Sequence, residues 1–249
     1  MLSKSNISLL QSLQHKKFRR EHGLFLVEGY KSVSEFIDSA YQIDTIYHTA
    51  AIAPKMLKLS QKMNFQEISS AIIEKISALK NPADVIAAVK LPQWPVLNYT
   101  TLNKKFSIVL DGIQDPGNMG TIIRTADWFG ITDIICSEDC VEVYNPKVVQ
   151  ATMGSLSRIN VHYVDLTQVL TGTKLPVYGA LLDGANIYNT DFGTEGLLVM
   201  GNEGKGLSEK VKQLVTKAVT IPGRGNTESL NVAIATAIFC SEINRNKLK

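Results

Sequence analysis

Residues 197–239 read LLVMGNEGKGLSEKVKQLVTKAVTIPGRGNTESLNVAIATAIF, and this stretch decides the fold. It opens on a short apolar run, Leu197 to Met200, that ends in the turn Gly201-Asn202-Glu203-Gly204-Lys205-Gly206. An apolar run closed by glycines is the pattern of a buried strand feeding a loop. A polar helix follows, then a second short strand, Ala218 to Ile221. The next loop is Pro222-Gly223-Arg224-Gly225-Asn226-Thr227-Glu228, and a closing helix is expected from Ser229. Leu230, Ala233, Ile234, Ala237 and Ile238 share one face of that helix by spacing, which predicts that this face packs on a sheet. Two glycine-rich loops at strand ends are where an open α/β sheet places a ligand. Taken alone, such a loop is usually just a tight turn. Neither loop has the G-x-G-x-x-G spacing of a dinucleotide site or the GK[ST] ending of a P-loop, so neither familiar phosphate cradle is present.

The rest of the 249-residue chain sets wider bounds. It is 45% hydrophobic and 20% charged with net charge +3, the composition of an ordinary globular protein large enough for one large or two modest domains. Mild basicity is compatible with nucleic acid without demanding it. Cys136, Cys140 and Cys240 form no CxxC pair and read as reduced thiols. The four histidines fall in no HExxH pattern, so no metal is expected. No apolar run approaches the roughly 20 residues of a membrane span, and the N-terminus lacks a signal peptide's apolar core; the expected location is the cytoplasm.

Along the chain, Leu9 to Arg20 predicts one short helix carrying Lys16, Lys17, Arg19 and Arg20, either a solvated face or a patch for RNA phosphates. Strands are expected at 24–27, 43–48, 65–68 and 85–89, with helices from Gly29, from Pro54 and over 70–79. That alternation makes a small α/β domain over 1–92. The proline-containing stretch 93–105 reads as a linker. A second α/β domain spans 106–249: a strand from Ser107 to Leu110, a turn-rich loop over 111–120, and a helix carrying Ile122, Ala126 and Phe129 inward to a stop at Gly130. A strand over 133–136, a helix over 145–153, and strands near Val161 and over 177–181 complete its sheet.

Three polar, glycine-containing segments stand at strand ends of this second domain: DPGNMGTIIRTADWFG, MGNEGKGLSE and IPGRGNTESLNVAIA. In this order they closely resemble the three motifs of the SpoU (TrmH) family of RNA ribose 2′-O-methyltransferases. KKFRREHGLFLVEG, with the α/β alternation around it, is similar to the family's substrate-binding domain of the L30e/L7Ae type. The resemblance implies a parallel sheet with helices on both faces and a deep trefoil knot, a homodimer, an RNA substrate and S-adenosylmethionine as cofactor. It implies cofactor contacts at Met200, Gly201, Asn202, Gly206, Ile221 and Leu230. It places Asn118, Arg124, Glu203, Ser229 and Asn231 in the catalytic machinery. Lys16, Lys17, Arg19, Arg20 and Arg224 are the candidates for RNA contact. One departure stands out: Gly223-Arg224 occupies the place where members often carry methionine, which bears on the shape and charge of that loop.

Methyl transfer to a hydroxyl is an in-line displacement, so the protein must align the two reactants and relieve the hydroxyl of its proton. The resemblance makes Arg124 the base. A guanidinium with a pKa above about 12 is a poor base, and its fork suits gripping a phosphate and steadying the forming alkoxide. Ribosomal RNA is the first expected substrate and transfer RNA the second. A non-catalytic RNA-binding assembly factor is the alternative class, opposed by the presence of Asn118, Arg124, Glu203 and Asn231. A dinucleotide oxidoreductase is disfavoured by the glycine spacing.

Overall fold

The computed structural model describes residues 2–59, 63–93, 97 and 99–245. It divides into two compact units, Met1–Gln93 with Glu142–Arg158, and Trp94–Val141 with Ile159–Lys249.

The first unit runs α1 (Lys4–Ser12), α2 (Lys16–His22), β1 (Leu24–Glu28), α3 (Tyr30–Ile37), β2 (Ile43–His48), α4 (Ala53–Leu59), β3 (Phe65–Glu67), α5 (Ser70–Ile76) and β4 (Val85–Lys90). Its sheet has the order β1-β4-β2-β3, with β4 antiparallel to both neighbours and β2 parallel to β3. The single helix expected over 9–20 is two helices. Gly23 ends α2 in the left-handed conformation at φ 64°, while the break between the helices is held by Arg19. That guanidinium is 2% exposed, donates at 3.0 Å to the carbonyls of both Leu13 and Gln14, and pairs with Glu142. The helix expected over 70–79 stops at Ile76, because Ser77 turns away to donate to the Glu28 carboxylate.

The segment 142–158, read from the sequence as part of the second domain, packs with the first unit instead. The Tyr144 ring lies 4.7 Å from that of Phe25, Arg158 pairs with Glu35, and α7 (Pro146–Ala151) lies within this segment. Gly154, at φ 97°, sits so close to α3 that a Cβ would stand 2.8 Å from Glu35 Cγ. Aromatic contact and two ion pairs, none of them visible to local periodicity, draw this segment in. Within the expected linker, residues 94–96 and 98 lie outside the described set. Leu102 is fully buried in the second unit's core with Leu97 packed against it, so that part is core and not free linker.

The second unit contains β5 (Phe106–Asp111), α6 (Pro116–Trp128), β6 (Asp133–Cys136), β7 (Asn160–Tyr163), α8 (Leu166–Gly172), β8 (Val177–Asn186), β9 (Gly196–Gly201), α9 (Glu209–Lys212), β10 (Lys217–Thr220) and α10 (Val232–Asn244). Its six strands are all parallel in the order β10-β8-β9-β5-β6-β7. Fully buried Val109, Leu197 and Val199 lie in one core layer with Leu166, Val177 and Leu207. Parallel strands covered on both faces need such continuous apolar runs. Because β9 lies beside β5, with Asp111 opposite Gly201, the two strands launch their loops side by side. The strand order reverses there, which is the crevice position for ligands in an open α/β sheet.

Two local expectations change. The 111–120 loop becomes helix from Pro116, since Asp115 caps the Asn118 amide at 2.8 Å and proline at the first helical position leaves no lost amide bond. The closing helix starts at Val232, not Ser229, with Asn231 as its cap. Its buried face is Val232, Ala233, Thr236, Phe239, Cys240 and Ile243, whereas Leu230 and Ile234 are half exposed. A helix apolar on nearly every side gives periodicity no contrast, and of the five residues expected to face inward only Ala233 is buried.

Candidate functional site

The first turn of α6, the loop after β9 and the cap of α10 meet in a hydrogen-bonded chain of three side chains. Asn231 Nδ2 donates to Asn118 Oδ1 at 2.9 Å, and Asn118 Nδ2 donates to Glu203 Oε1 at 2.8 Å. Chemistry fixes the direction of this chain at both ends. Asn231 Oδ1 accepts from the Ala233 and Ile234 amides at 3.0 and 3.2 Å, and backbone amides can only donate. A carboxylate can only accept, so Asn118 must present its NH₂ to Glu203 and its oxygen to Asn231. The three motif segments are thereby tied together through one side chain from each.

The loop after β9 is braced independently. Asn202 and Gly206 exchange two backbone bonds of 2.9 Å, and Gly206 takes φ 69° to close the turn. Asn202 Oδ1 accepts from the amides of Gly204 and Lys205, while its Nδ2 donates at 2.7 Å to the Gly112 carbonyl. Asp111 accepts from the Ser208 amide at 2.7 Å, a second strap between the β5 and β9 loops. Asp111, Gly112 and Asp115 escaped the sequence reading. For Asp115 the signal was available, since aspartate immediately before a proline that opens an apolar-periodic run marks a helix start.

Not every expected site residue joins this network. The side chains of Arg124 and Ser229 are exposed and have no hydrogen bond or ion pair among the described residues. Arg224 is exposed on the loop before α10. Of the basic helix, Lys16, Lys17 and Arg20 line a shallow surface depression with Glu21. Arg19 is removed from that group: a buried guanidinium already bonded to two carbonyls and a carboxylate has little to offer a phosphate.

The glycines separate into two kinds. A Cβ on Gly201 would stand 2.4 Å from the carbonyl carbon of Gly206 and 2.5 Å from the Leu207 nitrogen, so the close approach there is of the chain to itself. Gly223 and Gly225 face open space. Met200 is buried, Ile221 half-buried and Leu230 half-exposed. Among the described residues no backbone hydrogen bond involves Pro222 to Leu230. Free amides and carbonyls beside apolar Ile221 and Leu230 suit a planar heterocycle with polar edges, so the adenine-bearing cofactor fits the donor set. Gly201→Ala is expected to destabilise the protein by about 1–3 kcal/mol, because the clash is with backbone and not with a movable side chain. Gly204→Ala, whose Cβ would lie 3.7 Å from Asn202 Oδ1, is expected to be near neutral in the same thermal unfolding measurement.

Residues 105–241 match the family model described as SpoU rRNA Methylase family, and residues 4–87 match the MRM3-like substrate binding domain. The chain is 28% identical over 234 residues to the 23S rRNA (guanosine(2553)-2′-O)-methyltransferase RlmP of Bacillus subtilis strain 168, covering 92% of each chain. It superposes on a TrmH-family structure from Porphyromonas gingivalis with TM-score 0.88 at 38% identity, covering 99% of both chains. The AdoMet-bound rRNA methyltransferase of Sinorhizobium meliloti also gives a TM-score of 0.88, at 27% identity, covering 100% of this chain and 98% of that one.

Proposed function

We infer the activity from one premise: the chain belongs to the SpoU rRNA Methylase family. It is an S-adenosylmethionine-dependent RNA methyltransferase acting on a ribose 2′-hydroxyl of 23S ribosomal RNA. The observation that carries this reading is the Asn231–Asn118–Glu203 chain, which joins all three motif segments at the end of the parallel sheet. The cofactor supplies an electrophilic methyl on a sulfonium. This chain's own residues do the remaining work.

The backbone of 222–230, with Ile221 and Leu230, holds the cofactor, while Met200, Asn202 and Gly206 shape the adjoining wall. Gly201 contributes by letting the loop fold tightly on itself. Asn118, fixed by Glu203 and Asn231, orients the ribose. Arg124 has its whole guanidinium fork available; it grips the phosphate next to the target nucleotide and stabilises the oxygen as its proton leaves. Ser229 and Arg224 line the approach of the RNA.

Trp128, one turn after Arg124 on α6, is 84% exposed. Ile234, at 52%, adds apolar surface at the start of α10. A second copy of the chain covers this surface, giving a homodimer. The first unit presents RNA with Lys16, Lys17 and Arg20. No helix among the described residues is long and apolar enough to cross a membrane, and the cytoplasm, where ribosomal RNA is modified, is the proposed location.

The RNA-binding part is tested by replacing Lys16, Lys17 and Arg20 together with glutamine. Each phosphate contact releases counterions, so the slope of log Kd against log salt is expected to fall by about 2. An unchanged slope would remove these residues from the interface. The substrate is tested by ribose-methylation mapping of 23S, 16S and transfer RNA after reaction with purified protein. A single new site in 23S RNA is expected, and methylation confined to transfer RNA would overturn the assignment.

A further inference from the structure

The turn after β6, Ser137 to Val141, lies outside the three motif segments, yet it grips the loop after β5 in both directions. The Ser137 amide donates to the Leu110 carbonyl at 2.9 Å, and the Val141 amide donates to the Ile113 carbonyl at 2.8 Å. In return the Gly112 amide donates to Ser137 Oγ at 2.9 Å and the Ile113 amide to Cys140 Sγ at 3.2 Å. Gly112 and Ile113 are buried, so their amides depend on these partners. The β5–β6 ladder itself ends at Leu110 and Cys136. Beyond that point only the turn fixes the chain.

Ser137 is where the grip passes onward. Its hydroxyl donates at 2.5 Å to Asp139 Oδ1, because a carboxylate can only accept, and its oxygen is left to receive the Gly112 amide. Gly112 stands at φ 71° between two side chains: a Cβ there would lie 3.4 Å from Asp139 Oδ2 and 3.7 Å from Asn202 Cβ. Its carbonyl accepts from Asn202 Nδ2 at 2.7 Å, and Asn202 Oδ1 accepts from the amides of Gly204 and Lys205 at 3.0 and 3.1 Å. Glu203, enclosed by these bonds, is the residue that holds Asn118.

We propose that Ser137 is a positioning residue for methyl transfer: through Gly112 and Asn202 it sets the loop that carries Glu203, and with it the orientation of Asn118 toward the ribose. The effect belongs in kcat. RNA affinity comes from phosphate contacts and cofactor affinity from 222–230, neither of which Ser137 touches. Alignment of the hydroxyl with the methyl group is needed only in the reacting complex.

The effect on turnover rests on the methyltransferase reading, whereas the mechanical link is measured without it. Full-length Ser137→Ala and Ser137→Thr are compared with the wild type by hydrogen–deuterium exchange and by methylation kinetics. Ser137→Ala should quicken exchange in peptides covering 110–115 and 201–206. It should lower kcat about 10–100-fold, the scale of a small misplacement at a reacting centre, with KM for RNA and for cofactor unchanged. Ser137→Thr keeps the hydroxyl and should restore both readouts. In an Asn118→Ala background, Ser137→Ala should cost nothing further, since the group it positions is gone. If Ser137→Ala does not fold, Asp139→Ala takes its place: Asp139 is exposed, and losing the carboxylate that orients the hydroxyl should give the same pattern at smaller size. Losses that multiply with Asn118→Ala, or exchange that quickens at 110–115 but not at 201–206, would overturn the proposal. Wild-type protein that transfers no methyl would count against the enzyme reading instead, and the exchange data would still decide whether Ser137 governs the loop after β9.

Discussion

Arg124→Ala is expected to lower kcat/KM for RNA by on the order of 10²–10³, the loss seen when a single group stabilising a developing oxyanion is removed. The structure makes this a clean experiment. Arg124 is exposed and makes no hydrogen bond or ion pair among the described residues, so its removal disturbs nothing that holds the fold together. Thermal stability should change by no more than about 0.5 kcal/mol, and cofactor affinity should stay at the wild-type value. The pH dependence of the residual activity separates two roles for the guanidinium. A charge that grips phosphate and alkoxide leaves the profile unaltered when it is lost; a base removes one limb of it. The chemistry favours the first, because a guanidinium with a pKa above about 12 keeps its proton.

The second large effect concerns stability and lies in the first unit. Arg19→Met keeps most of the apolar stem but leaves Glu142, whose side chain is 12% exposed, without its cation. Breaking a buried pair from one side costs about 3–5 kcal/mol, and for a chain of this size each kcal/mol corresponds to about 2–4 °C in Tm. Adding Glu142→Leu removes the stranded charge and should restore part of the loss. Recovery should be incomplete, because the carbonyls of Leu13 and Gln14 also lose their donor. The double-mutant cycle read by thermal unfolding therefore gives a large coupling. A single-variant loss below about 1 kcal/mol would mean that Arg19 behaves as a surface charge, as its place among Lys16, Lys17 and Arg20 in the sequence suggests.

That arginine shows where reading the sequence stops. Four basic residues in one short run look equivalent, and only the packing of 142–158 against the first unit distinguishes the inward one. Turn chemistry and burial were legible where they were local. The apolar run at 197–200 and the glycines after it specify a strand and a tight loop, and the structure has β9 and the Asn202–Gly206 turn there. The polar residues Asn118, Glu203 and Asn231 were identified through the motif resemblance, yet their mutual bonding joins positions 85 and 113 residues apart. No local pattern contains that information. Leu230 and Ile234 were assigned inward because a helix rich in alanine, valine and isoleucine offers several plausible apolar stripes; the structure turns Val232, Thr236 and Phe239 inward instead. At Gly201, where the resemblance implies a cofactor contact, the space left by the missing Cβ is filled by the backbone of its own loop.

These features converge on one claim: the strand-end loops of the second unit carry a methyl group from S-adenosylmethionine to a ribose hydroxyl of RNA. The most direct test incubates purified protein with RNA and cofactor labelled in the methyl group, then digests the RNA and separates its nucleosides. The label should appear in a 2′-O-methylated nucleoside, and Arg124→Ala should abolish most of it. Label recovered on a base, or none transferred by protein that is folded and binds RNA, would contradict the account.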